Sequence, residues 1–180
     1  LARWKTRHLG SGQAFLPPQA ALVAVETGSG RVRAGGGGSS FIQSPFDRAL
    51  QARRQPGSAF KPLIYAAALA HGFTPASLIE DAPVRLRGAS PGRFWEPRNF
   101  DGKFKGPTTL RTALIHSNNI VTIKLLQAVG VKPVVELAAR LGIRSPLAAN
   151  LSLALGSSDV SLLELTVAYS ALANGGKRGE

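Results

Sequence analysis

The amino-acid sequence predicts an α+β fold: an N-terminal β-hairpin followed by a helical region. Two observations carry this. Near the start, two short runs flank Glu26-Thr27-Gly28-Ser29-Gly30, a segment with turn chemistry. From Ser58 onward, apolar residues recur at helical spacing in segments that stop at glycines.

In chain order, residues 1–18 are basic and end in Pro17-Pro18, as expected of a linker or tail. Ala20 to Val25 is an apolar strand candidate, and Arg31 to Ala34 alternates like a half-exposed partner strand. Gly35 to Gly38 lacks the following Lys and Ser/Thr that a phosphate cradle needs, so it is read as a strand end running into a loop. Pro56-Gly57 breaks the chain. Ser58 to His71 then reads as a helix with Leu63, Ala66, Ala67 and Ala70 on one face and Gly72 as its stop. Pro62 cannot donate to the Ser58 carbonyl, which holds the serine at the helix mouth. Residues 73–107 read as a long irregular connection with a turn at Asp101-Gly102. Three helices follow, at Thr109 to His116, Ile120 to Val129 and Lys132 to Leu141, the last two stopped by Gly130 and Gly142. Ser161-Leu162-Leu163-Glu164 is a capping-box pattern opening a final helix to about Ala173.

Composition narrows the function classes. The chain has 180 residues, 44% of them apolar, enough for one domain with a sizeable core. No apolar stretch is long enough to span a bilayer, and Leu1-Ala2-Arg3-Trp4 does not resemble a signal peptide. Cysteine is absent, which excludes disulfides, thiolate nucleophiles and cysteine-based zinc sites. His8, His71 and His116 have no metal-site spacing, so no metal or cofactor is expected. The net charge of +12 favours anionic partners, yet its cations are dispersed and no nucleic-acid motif accompanies them, so nucleic acid is not an expected partner. Methionine is absent too, as expected of an interior piece of a longer protein.

Two motifs carry chemistry. Ser58-Ala59-Phe60-Lys61 puts a hydroxyl and an amine three residues apart, on one helical face. A serine hydroxyl is a poor nucleophile until a base takes its proton. Lys61 can do so where burial lowers its pKa, and a helix mouth offers N–H groups to a developing oxyanion. Ser117-Asn118-Asn119 lies between two predicted helices. Ser117 could relay a proton between Lys61 and a leaving nitrogen, and Asn119 could hold Lys61 and a substrate amide. Each motif alone is also consistent with polar capping of a helix. A Ser-His-Asp arrangement through His116 is disfavoured, because adjacent helical residues point apart.

Arg54-Gln55-Pro56-Gly57-Ser58-Ala59-Phe60-Lys61-Pro62 closely resembles the nucleophile segment of bifunctional (class A) penicillin-binding proteins. The resemblance runs from about Gln19 to Gly176. It includes Phe46-Asp47-Arg48-Ala49, Trp95 to Gly102, Thr109 to Asn119, Leu153 to Ser157 and Ala168 to Gly176. It implies that residues 19–180 are the N-terminal part of a transpeptidase domain, in a penicillin-binding/serine β-lactamase-like fold whose five-stranded antiparallel sheet packs between helices. Three of those strands and the Lys-Thr-Gly motif have no counterpart here.

The resemblance also implies roles. Ser58 would be the acylated nucleophile and Lys61 its base, with Ser117 and Asn119 completing the second motif. The implied activity is that of a D-Ala-D-Ala transpeptidase cross-linking peptidoglycan stem peptides, with β-lactams as covalent inhibitors. Its place would be the extracytoplasmic face of the bacterial membrane (the periplasm), with a membrane anchor and a glycosyltransferase domain preceding this segment. Without the Lys-Thr-Gly strand the piece is expected to be weakly active or inactive, since loss of one oxyanion donor costs about a hundredfold in rate. The unpaired hairpin edge is expected to promote self-association. Alternatives are a serine β-lactamase or DD-carboxypeptidase of the same superfamily, or a non-catalytic basic module gripping anionic polymer. A lactamase needs a deacylating group on a loop, whereas Glu136 and Glu164 both fall inside predicted helices.

Overall fold

The computed structural model describes residues 18–87 and 92–177. The expected linker or tail therefore lies almost wholly outside the described residues. β1 (Leu22–Val25) and β2 (Val32–Gly36) form the antiparallel hairpin, with Leu22 opposite Gly36 and a register shift between Ala24 and Val25. Gly30, at φ +76°, closes the turn by donating to Glu26 O at 2.8 Å. The glycine run is shared between β2 and a packed corner. A Cβ on Gly37 would stand 2.6 Å from Asp47 Cγ, so the chain there needs glycine.

β3 (Arg53–Arg54) leads through a 3-10 turn (Gly57–Phe60) into α1 (Lys61–Ala70). The stretch read as one irregular connection is more ordered than expected. It holds β4 (Leu78–Asp81), β5 (Leu86–Arg87), β6 (Phe94–Trp95) and the start of β7 (Gly106–Thr109). β4 pairs with β7 and β5 with β6, both antiparallel. These short strands lack an apolar run or a tight turn, and the pairing of β4 with β7 spans more than twenty residues, so local pattern does not reveal them. α2 (Leu110–Ile115), α3 (Asn119–Val129) and α4 (Val131–Arg140) follow. A second 3-10 turn (Leu151–Leu155), β8 (Val160–Ser161) and α5 (Leu162–Ala173) complete the chain. β8 pairs with β3, so that Arg53 faces Ser161.

The core is built on α1. Leu63, Ile64, Ala67 and Ala68 are buried, while Ala66 is half-buried and Ala70 exposed. The spacing predicts one apolar face, of Leu63, Ala66, Ala67 and Ala70. The helix is instead covered on most sides, because α2, α3, α4 and the second 3-10 turn all pack against it. Phe60, Leu63, Leu125, Leu126 and Leu153 are each 0% exposed. Full burial of one such side chain contributes about 1.5–3 kcal/mol. α5 packs on β1, and Asn174 Nδ2 donates to Thr27 O at 2.6 Å. The hairpin thus has a covering helix, although β1 has β2 as its only partner strand among the described residues.

Candidate active site

Lys61 opens α1 with 1% of its surface exposed. Its Nζ donates to Ser117 O at 2.6 Å, Ser117 Oγ at 3.1 Å and Asn119 Oδ1 at 2.7 Å. An ammonium has three N–H donors, and here they meet three oxygens, all from the second motif. Burial lowers the Lys61 pKa to about 8.

The turn that delivers these oxygens is strained. Ser117 has φ +50°, the one described non-glycine residue in the left-handed region. That conformation costs about 1–2 kcal/mol for an L-residue. It lets α2 end and α3 begin within three residues, and it turns the Ser117 carbonyl onto Lys61. Asn118 is the N-cap of α3, its Oδ1 accepting from Val121 N at 2.8 Å. Asn119 is oriented from its other end, where Nδ2 donates to Arg98 O at 2.9 Å. Asn99 Oδ1 accepts from the Asn119 and Ile120 amides at 3.0 and 3.2 Å.

Ser58 stands in the first 3-10 turn, exposed, one turn before Lys61. The Lys61 N–H donates to its carbonyl. Among the described residues no hydrogen bond joins Ser58 Oγ to Lys61 Nζ. The flanking amides are occupied, Gly57 N donating to Gly156 O at 3.3 Å and Ala59 N to Pro56 O at 3.2 Å. The Ser58 N–H between them meets no described acceptor. Tyr169 Oη donates to Ala59 O at 2.7 Å, which ties α5 to this turn. A cavity of about 160 Å³ opens beside Ser117, lined by Asn99, Phe100, Lys105 and His116. A larger one of about 610 Å³, bounded by Phe46, Arg54, Pro56 and Leu165, reaches none of the four candidate residues.

Three of the four sequence candidates are therefore in one hydrogen-bonded cluster, with Ser58 beside it on the same helix entry. The two glutamates weighed for deacylation are engaged elsewhere. Glu164 bonds Arg144, Ser145 and Ser161, while Glu136 pairs with Lys132 on an exposed face of α4. No group of His, Cys, Asp or Glu among the described residues could hold a metal ion. Sequence reasoning missed Asp81, Gly156 and Tyr169 as supports. The signal for Asp81 was weak: an acid ending the run Leu78-Ile79-Glu80, in a stretch that reads as loop.

Comparison with known proteins agrees with this geometry. The family model described as the penicillin binding protein transpeptidase domain matches residues 20–180. Penicillin-binding protein 1A of Neisseria gonorrhoeae is 46% identical over 162 residues, covering 89% of this chain and 20% of its own length. Penicillin-binding protein 1A of Pseudomonas aeruginosa is 45% identical over 159 residues, 88% of this chain and 19% of its own. Among solved structures, penicillin-binding protein 1A of Haemophilus influenzae superposes with a TM-score of 0.81 at 37% identity, over 87% of this chain and 23% of that one. The PonA1 protein of Mycobacterium tuberculosis in complex with penicillin V gives 0.76 at 26% identity, over 91% and 45%. The chain spans about a fifth of the length of the curated relatives it matches. A family model covering nearly the whole sequence, relatives at this identity and a shared architecture lead to one conclusion: the chain belongs to the penicillin-binding protein transpeptidase domain family.

Proposed function

We propose that this chain supplies the nucleophile and proton-transfer half of a serine acyl-transfer site, that of a D-Ala-D-Ala transpeptidase cross-linking peptidoglycan and acylated by β-lactams. The observation that carries the reading is the buried Lys61 Nζ held at 2.6–3.1 Å by Ser117 and Asn119, one turn after an exposed serine. Ser58 Oγ attacks the penultimate D-Ala carbonyl, and its proton passes to neutral Lys61. The unpartnered Ser58 N–H faces the developing oxyanion. The scissile C–N bond breaks, and the departing nitrogen takes a proton handed from Lys61 through Ser117 Oγ. An amine from a neighbouring stem peptide then displaces Ser58 from the ester.

Lys61 with a pKa near 8 is compatible with this cycle, because a base poised near working pH can both take and return a proton. Full turnover would need an oxyanion donor and a carboxylate anchor beyond these residues, so acylation is expected to be slow and transfer slower. Residues 19–180 would form the N-terminal part of the domain. The family's setting would place it outside the cytoplasmic membrane, and no helix among the described residues is long and apolar enough to cross one.

The test is intact mass after incubation with a penicillin, followed by peptide mapping. An adduct confined to Ser58, and lost in Ser58→Ala, is the expected result. A folded chain that takes no adduct both at this length and when extended past Glu180 would refute the assignment. Fast turnover of the penicillin would favour the β-lactamase alternative. Salt-sensitive binding of anionic polymer indifferent to Ser58→Ala would favour a non-catalytic module.

A further inference from the structure

Asp81 ends β4 with 1% of its surface exposed, and no described cation lies within ion-pair reach of it. A lone carboxylate in a protein interior is costly unless hydrogen bonds replace its water. Here three groups do so. Asn99 Nδ2 donates to Oδ1 at 2.9 Å and Oδ2 at 3.1 Å, Asn118 Nδ2 to Oδ2 at 2.8 Å, and the Lys105 N–H to Oδ2 at 3.0 Å.

Two of these donors lead to the Lys61 cluster. An ionised carboxylate only accepts, so both asparagines must turn their NH₂ groups toward it. Their carbonyl oxygens then face the first turn of α3. Asn118 Oδ1 takes the Val121 N–H, and Asn99 Oδ1 takes those of Asn119 and Ile120. Asn119, held in that turn, presents Oδ1 to Lys61 Nζ. The backbone donors and Lys103 O, which accepts from Asn99 Nδ2 at 2.7 Å, favour the same polarity, so what the carboxylate adds is an anchor for the NH₂ ends. An amide at 81 can present its own NH₂ to these donors, which would break the anchoring contacts and loosen both asparagines.

We propose that Asp81 is a positioning residue for this site: its carboxylate anchors the side chains of Asn99 and Asn118, and through them holds the Ser117–Asn119 turn against Lys61. The consequence for rate rests on the acyl-transfer reading; the consequence for Lys61 itself does not.

The test follows the Lys61 side-chain titration by NMR in lysine-labelled chain, assigned by the signal missing from Lys61→Arg, beside the rate of adduct formation with a penicillin. In Asp81→Asn the Lys61 titration should move down by about one pH unit, because an acceptor that stabilises the charged Nζ loosens. Adduct formation should slow about tenfold. Adding Asn118→Asp restores an acceptor facing an amide and keeps a good N-cap for α3, so it should return both readings toward the parent. Thr109→Ala is the control. It removes the α2 cap (Thr109 Oγ1 accepting from Thr112 N at 3.2 Å) and lowers stability without touching this network. Its Lys61 titration should not move.

Should Asp81→Asn not fold, Asn118→Ser carries the same test, since serine caps α3 but cannot reach Asp81. A Lys61 titration unmoved in these variants, or moved equally by Thr109→Ala, overturns the proposal. A titration that moves as described while no variant takes the penicillin supports the positioning role and counts against the acyl-transfer reading alone.

Discussion

The backbones of Gly57 and Gly156 cross in contact, Gly57 N–H donating to Gly156 O at 3.3 Å. A Cβ on Gly156 would stand 2.6 Å from the Gly57 nitrogen and 2.8 Å from its carbonyl carbon. Gly156 also has φ +66°, which an L-side chain rarely adopts. The residue that precedes the candidate nucleophile is thus located by a glycine far along the chain. Gly156→Ala is expected to lower stability by about 3 kcal/mol in urea unfolding and to slow adduct formation at Ser58. Unchanged unfolding and acylation would show that the crossing can relax freely.

Lys61 predicts a pH dependence of stability. Its pKa falls from 10.5 to about 8 on burial, so folding disfavours its charged form. Below about pH 8 both states bind the proton and the full penalty applies. Between about 8 and 10 the unfolded chain keeps the proton while the folded chain releases it, so stability rises with pH, by at most about 1.4 kcal/mol per unit. Above 10 Tyr65 and Tyr169, both raised by burial, oppose the trend. Denaturant midpoints from pH 7 to 10 should climb in the parent and stay flatter in Lys61→Gln.

Ser117 separates strain from chemistry. Ser117→Ala and Ser117→Gly both delete the Oγ contact with Lys61, but only glycine is at ease at φ +50°. Ser117→Gly should therefore be the more stable of the two by about 1 kcal/mol. Thermal unfolding of the pair checks this, and equal midpoints would mean that the turn stores no strain.

Glu164 joins the start of α5 to the segment after α4. Desolvation pushes its pKa up, but hydrogen bonds from Ser145, the Ser161 and Arg144 amides and Ser161 Oγ outweigh this and hold it below 4.5. Its contribution is present above pH 4.5 and is lost as pH falls through the lower folded value. Glu164→Gln should cost about 2 kcal/mol at pH 7, with the difference from the parent narrowing in acid. A constant difference from pH 7 to 3 would disprove the role of the charge.

Much of this molecule is legible locally. The capping box of Ser161 and Glu164, the glycine after α3 and the turn at Glu26–Gly30 are contacts between near neighbours, so residue type and spacing reveal them. The same holds for Ser58 and Lys61, three residues apart. The pairing of β4 with β7, the burial of α1 on most sides and the acidic anchor of Ser117–Asn119 depend on segments that meet across long separations.

By itself, then, the sequence determined the hairpin, the helices and which side chains are candidates for chemistry, because these follow from short-range sterics, periodicity and side-chain chemistry. Tertiary structure alone decided that Lys61 is desolvated and that its three donors are taken by Ser117 and Asn119. A pKa and an amide orientation are properties of surroundings, and Asp81, Gly156 and Tyr169 become surroundings of the site only after the chain has folded.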